Sequence, residues 1–271
     1  MVSRKIPFVK AHACGNDFLL LEEAVAERRH AELAMRLCMR NTSVGADGIE
    51  FIERRPDGSV FLRLFNADGS EAELSGNGTR CVAAWLAASE DRQTVALGTH
   101  GGVRQCRVIR EEDGVWWIES GMGVPRVMRR SIRIEGVEHE IEGAMVNVGN
   151  PHFVLFPQDE DFGTHGMSWE QMGARLSGHP LFRFGTNVEF VRVAAPDQIE
   201  FRIFERGCGP TTSSGTGTCA SAAAAMVLRS ASRQLTATAP GGSQTVSWPD
   251  DRAEMLLTGP AEILCTGEVW L

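Results

Sequence analysis

The chain has 271 residues at 29.5 kDa, with 43% hydrophobic and 23% charged residues, a balance that excludes a disordered or fibrous protein. A formal net charge of −8 and a pI near 5.4 exclude the basic footprint of a dedicated nucleic-acid binder. Only Lys5 and Lys10 are lysines and tyrosine is absent, so a Schiff-base lysine or a tyrosyl base has almost no candidates.

In chain order, the opening Met1-Val2-Ser3-Arg4-Lys5-Ile6-Pro7 has charge but no apolar run behind it, and no secretory signal is expected. Leu33, Ala34, Leu37 and Cys38 form a helical stripe. Ser59 to Asn66 follows a Pro-Asp-Gly turn and reads as a strand buried on both faces. Val82, Ala83, Leu86 and Ala87 make a second helical stripe, and Val115 to Ser120 a strand. No low-complexity linker follows, so the boundary between halves is short and expected near Met122 to Arg126.

Trp169, Met172 and Leu176 make a third stripe, and Gln198 to Glu205 alternates strictly between apolar and polar, as a half-buried strand does. The alanine-rich stretch from Thr216 to Ser232 reads as a fourth helix. Gln244 to Trp248 and Ala253 to Thr258 flank Pro249-Asp250-Asp251 as a hairpin. The longest small-apolar run, Cys219 to Leu228, is about half a membrane span, so no membrane partner is expected. The seven cysteines include no CxxC pair, which argues against a metal site or a disulfide framework. They read as small buried hydrophobes of a cytoplasmic protein.

The most informative feature is internal duplication. Ser75-Gly76-Asn77-Gly78-Thr79 recurs as Ser214-Gly215-Thr216-Gly217-Thr218, 139 residues on. Gly15-Asn16-Asp17-Phe18 recurs as Gly149-Asn150-Pro151-His152-Phe153 at nearly the same offset. The chain therefore reads as two related halves of about 135 residues, each with a strand, a Ser-Gly-X-Gly loop and a helix. Such a loop presents backbone N–H groups at the positive end of a helix, which suits a carboxylate or a phosphate. It has neither the lysine of a P-loop nor the spacing of a dinucleotide fingerprint, so nucleotide binding falls behind.

Around the loops stand Asn16, Asn66, Asn150 and Asn187, the pair Glu205-Arg206, and His152. Taken singly, each asparagine is an ordinary turn residue, Arg206 a surface charge and His152 a satisfied loop histidine. As a set they offer neutral amides, one guanidinium and one carboxylate. That set recognises an amino acid, with donors for its carboxylates and acceptors for its ammonium.

These residues resemble the diaminopimelate epimerase family over essentially the whole chain. The resemblance rests on HACGNDF, GADG, NADGSEAELSGNGTRC, VNVGNPHF, GTNVEF and ERGCGPTTSSGTG, in the family's order and spacing, with Gly259-Pro260-Ala261 near the end. It implies an α/β (α+β) fold of two pseudo-symmetric domains, each a mixed sheet curled around a central helix, with the active site between them. The halves would be residues 1–121 with a C-terminal strand 260–271, and residues 122–259. It also implies cofactor-independent interconversion of LL- and meso-diaminopimelate, and it leaves a homodimer open. By the same likeness Asn16, Asn66, Asn150, Asn187, Glu205 and Arg206 hold the substrate. Gly76-Asn77 and Gly215-Thr216 take the carboxylate at the reacting carbon through their backbones.

The chain departs from the pattern where the chemistry is done. The family's two catalytic cysteines fall at positions 75 and 214, and both are serine here. A thiol at a helix N-terminus ionises near neutral pH, whereas a serine hydroxyl needs a neighbouring base. Two accounts are open, engineered replacement of the two cysteines or natural divergence of the site. Gly209-Pro210-Thr211, where the family has Gly-Glu-Thr, favours divergence, since removing a nucleophile gives no reason to insert a proline. The catalytic candidates are therefore Ser75 and Ser214, with His152 and Glu205 as bases or activators. Two alternatives stay open: a catalytically silent amino-acid-binding homologue, and a divergent racemase or isomerase acting on another amino acid such as hydroxyproline.

Overall fold

Strands dominate the structure because β-branched and aromatic residues recur with a period of two along much of the chain. The computed structural model describes residues 4–271, and the first three residues of the N-terminal segment considered above lie outside the described residues. The fold is mixed α+β and divides into two compact units, Met1–Ser120 with Gly259–Leu271, and Gly121–Thr258.

The first unit runs β1 (Lys5–Ala13), β2 (Asn16–Glu22), α1 (His30–Leu37), β3 (Gly48–Arg54), β4 (Val60–Asn66), β5 (Glu71–Ala72), α2 (Gly76–Glu90), β6 (Thr94–Thr99), β7 (Gly102–Glu112) and β8 (Val115–Gly121). β1 lies antiparallel to β2, which is parallel to β3. β4 is antiparallel to β3 and β5 and parallel to β6, and β6 and β7 form a hairpin.

The second unit runs β9 (Arg126–Ile132), β10 (Ile141–Asn147), β11 (Pro151–Leu155), α3 (Trp169–Ser177), β12 (Asn187–Ala195), β13 (Gln198–Glu205), β14 (Gly209–Thr211), α4 (Gly215–Leu228), β15 (Gln234–Ala239) and β16 (Gly242–Ser247). The order of strand directions repeats. β10 is antiparallel to β11, β11 parallel to β12, β12 antiparallel to β13, and β13 parallel to β15. The last strand, β17 (Leu256–Trp270), begins against β16 and later pairs antiparallel with β1, where Ile6 faces Val269.

Each unit holds one helix inside and one outside, as alternation along its strands requires. In the first, Phe18, Leu20, Leu62 and Leu97 pack on α2, whose Cys81, Val82, Ala83, Ala84 and Leu86 are all buried. Leu19, Leu21, Ile49 and Phe51 point the other way, onto Leu33, Ala34 and Leu37 of α1. In the second, Val154, Phe201 and Ile203 meet the alanine face of α4, while Phe153, Leu155 and Phe190 meet Met172 and Leu176 of α3. Alanine and cysteine let the inner helices be enclosed on nearly every side.

Three expectations need correction. β4 alternates, with Phe61 and Arg63 half-exposed, because its outer face is only partly covered. α4 stops at Leu228 rather than continuing to 232: Ser230 takes a left-handed φ of 55°, and the Ala231 N–H turns back to Ala225 O at 3.2 Å. Five cysteines are buried, but Cys208 and Cys265 are exposed. No helix among the described residues is long and apolar enough to cross a membrane.

Candidate functional site

The duplicated loops are helix caps. Ser75 has extended backbone (φ −121°) and its Oγ accepts the Gly78 N–H at 3.0 Å, opening α2. Ser214 does the same for α4, with φ −148° and the Gly217 N–H at 3.2 Å. Neither helix carries an acidic residue within its own first turn. Each end therefore favours an anion.

An asparagine at the start of β2 in the first unit, and just before β11 in the second, grips the loop's third residue. In the first unit, Asn77 Nδ2 donates to Asn16 Oδ1 at 3.2 Å, and Asn16 Nδ2 donates to Asp47 at 2.8 Å. Arg40 bridges Asp47 and Asp17 at 2.6 and 2.8 Å. Burial alone would raise the Asp17 carboxyl, but hydrogen bonds from Arg40 and Lys10 outweigh it and hold it below the usual carboxylate range. Arg80, fully buried, supports the loop from behind by donating to Asn77 Oδ1 at 2.6 Å and to Gly76 O at 3.2 Å. Asn66 instead serves a separate turn, donating to Ser70 Oγ at 2.9 Å.

In the second unit Asn150 Nδ2 donates to Thr216 Oγ1 at 3.3 Å, the counterpart of the Asn16–Asn77 contact. Asn150 Oδ1 also faces His152 Nε2 at 2.8 Å, and His152 Nδ1 faces Glu189 Oε1 at 2.6 Å. Both ring nitrogens of His152 are thus engaged, and its ring is buried. Asn187 accepts the Arg206 N–H at 2.9 Å, and the Arg206 guanidinium donates to Phe184 O at 3.1 Å. Glu205 accepts from the Thr211 hydroxyl at 2.7 Å; burial raises its carboxyl despite that bond.

Two residues that the sequence reading passed over are Glu50 and Glu189. Both are fully enclosed, in β3 and β12, and each lies beneath the fourth residue of its unit's loop, Gly78 or Gly217. Burial pushes Glu50 up to about 8 and also raises Glu189, whose neighbour His152 pulls it partly back. The signal was present: Gly48-Ile49-Glu50-Phe51 and Asn187-Val188-Glu189-Phe190 stand 139 residues apart, the same interval as the serines. The strand register is the same in both units, His152 pairing with Asn187 and Phe18 with Gly48, so the difference lies in the residue: the position that gives Glu189 its imidazole partner is phenylalanine in the first unit. Among the described residues no cluster of three or more His, Cys, Asp or Glu side chains could hold a metal ion.

Comparison with known proteins adds to this geometry. The family profile described as diaminopimelate epimerase matches residues 8–128 and 144–264. The chain is 36% identical to a diaminopimelate epimerase of Pelotomaculum thermopropionicum, covering 96% of this chain and 98% of that protein. It is 33% identical to one from Nostoc punctiforme, over 97% and 99% of the two chains. Among solved structures, a hydroxyproline epimerase from Agrobacterium vitis superposes with a TM-score of 0.74 at 14% identity, covering 100% of this chain and 93% of that one. A PhzF-family phenazine biosynthesis protein of Bacillus anthracis gives 0.72 at 14% identity, over 99% and 100%. At such identities the likeness is one of fold.

Proposed function

The chain belongs to the diaminopimelate epimerase family, a family of isomerases, and from that premise we propose that it binds diaminopimelate and inverts its α-carbon without pyridoxal phosphate. The observation that carries this reading is the duplicated cap. Each unit has a serine at a helix N-terminus whose first turn carries no acidic residue, and an asparagine bound to the loop's third residue. An α-carboxylate suits such N–H groups, and inversion needs one proton-handling group per face of the carbon. Ser75 and Ser214 are assigned to those two roles. The scarcity of lysine fits a reaction without an aldimine. Asn66, Asn187 and Arg206 are assigned to the distal carboxylate and Glu205 to the reacting end of the substrate, and the setting proposed is cytoplasmic.

A second reading is favoured by one observation. Both serine oxygens already accept a backbone N–H, and an alcohol there is far from ionised at neutral pH, which fits a silent amino-acid-binding protein. Exchange of the α-hydrogen of diaminopimelate in D₂O separates the two. We expect slow exchange in the parent, and a gain of epimerisation in the double variant Ser75→Cys, Ser214→Cys, since helix ends tune a thiol into range. Either single variant should exchange one face at most. Fast epimerisation by the parent would remove the serines from the proton-handling role. Tight binding with no turnover in the double variant would favour the silent reading.

A further inference from the structure

In the second unit the site continues inward along an unbroken line of five side chains. Glu189 Oε1 meets His152 Nδ1 at 2.6 Å, and His152 Nε2 meets Asn150 Oδ1 at 2.8 Å. Asn150 Nδ2 meets Thr216 Oγ1 at 3.3 Å, and Thr216 Oγ1 meets Ser214 Oγ at 3.4 Å. The side chains of the inner pair, Glu189 and His152, have no exposure to solvent. Glu189 Oε1 and Ser214 Cβ lie 3.1 and 3.2 Å from the point that a Cβ on Gly217 would occupy, so the line folds back around that glycine.

Every link has a direction, because an amide and a hydroxyl differ in what they give and take. When Nε2 carries a proton it donates to Asn150 Oδ1. The amide then donates from Nδ2 to Thr216, and the Thr216 hydroxyl is left to donate to Ser214. Ser214 Oγ thereby receives two donors, Thr216 and the Gly217 N–H, and its own proton points away as a donor. When Nε2 is bare, the amide must turn over to donate to it. Asn150 Oδ1 then takes the Thr216 proton, and Thr216 accepts from Ser214. The group at 214 now shows a lone pair and is an acceptor. The Asn150 amide is oriented as in the first arrangement, with Oδ1 towards His152 and Nδ2 towards Thr216.

We propose that Glu189 is a positioning residue: with His152 it sets the direction of this line, and so whether the group at 214 faces its ligand as proton donor or proton acceptor. One proton stays between Glu189 Oε1 and His152 Nδ1 in both states, and the switch releases a single proton from Nε2. Inversion needs the same group to take a proton in one direction of reaction and return it in the other, so a reversible line suits both. That consequence rests on the proposed epimerase reading, whereas the line itself does not. The titratable groups facing Glu189 are His152 from β11 and Glu205 at the end of β13, and the latter opposes charge on Glu189. The α4 residue that Glu189 meets is Gly217, which carries no charge.

The test uses Ser214→Cys as a reporter. Iodoacetamide alkylation is followed against pH and read at position 214 by peptide mass spectrometry, because Cys208 and Cys265 are also exposed. Adding Thr216→Val removes a donor from the thiolate and should raise the alkylation midpoint by about one pH unit, while Thr216→Ser should leave it in place. Glu189→Gln donates to Nδ1 and fixes the proton on Nε2, so the line can no longer reverse as it does in the parent when pH rises, and the midpoint should fall by about half a unit. That lowering should vanish when Thr216→Val is also present, as expected for coupling through the line. A Glu189→Gln shift that survives Thr216→Val would show a charge acting through space and overturn the proposal, as would no shift at all. In the unaltered protein, ¹⁵N-histidine spectra should show a proton on His152 Nε2, and a bare Nε2 would contradict the direction assigned. Neither measurement needs substrate, so failure of the epimerase reading is distinguishable from failure of the line.

Discussion

The carboxyl of Glu50 fills the space that a side chain on Gly78 would need. A Cβ there would collide with Oε1, with Cδ at 2.9 Å and with Cγ at 3.2 Å, and the Glu50 side chain is buried. Gly78→Ala should therefore destabilise by about 1–3 kcal/mol, although alanine is the better helix former. Urea denaturation measures the cost. Combined with Glu50→Ala, the substitution should cost less than it does alone, and strict additivity would mean that the two side chains do not share this space.

Glu50 also makes stability depend on pH. Its folded value of about 8 lies above the unfolded value of roughly 4.3, so folding favours the protonated form. The sign is then fixed: the contribution is complete below about pH 4 and declines as pH rises towards 8, by as much as about 5 kcal/mol. Glu50→Gln removes this dependence. The stability gap in favour of the variant should widen steadily between pH 5 and 8 in thermal melts, and a constant gap would count against a neutral buried Glu50.

Ser75 also has a structural role separable from chemistry. Losing its bond to the Gly78 N–H in Ser75→Ala should cost about 1 kcal/mol, and Ser75→Gly only a few tenths. Equal losses in guanidinium unfolding would show that the cap bond is not the source.

Arg206 is exposed and its backbone N–H is pinned by Asn187, which leaves its guanidinium tethered mainly through Phe184 O. Arg206→Lys should weaken diaminopimelate binding by about 1.5–3 kcal/mol, because the planar fork is lost while the charge stays. Calorimetry reads this directly, and unchanged affinity would move the distal carboxylate elsewhere.

Much of this was legible before any coordinates. The strand Gln198–Glu205 falls where its alternation places it, and the third stripe and the alanine-rich stretch lie on α3 and α4. The N-cap positions of Ser75 and Ser214 follow from serine before a glycine-bracketed helix start. What escaped was polar and internal. Glu50 sits in GIEF and Glu189 in NVEF, where a single carboxylate between apolar residues reads as the solvent face of a strand. Only the helices packed over both faces bury them, and that is a tertiary fact. Arg80 was hidden for the same reason: its place beneath the Gly76–Asn77 turn depends on α2 being enclosed.

The pairing of β17 with β1 has a consequence for synthesis. Lys5 faces Trp270 across that ladder, and the Leu271 N–H reaches Arg4 O at 2.9 Å. The first unit thus needs residues 259–271, made after the whole of the second, which is complete once residue 258 has emerged. Although domains commonly fold in the order in which they are made, here the half that begins first finishes last. Until residues 259–271 follow, β1 waits with an unpaired edge, and a released chain truncated after residue 258 should hold a folded second unit beside a protease-sensitive first one.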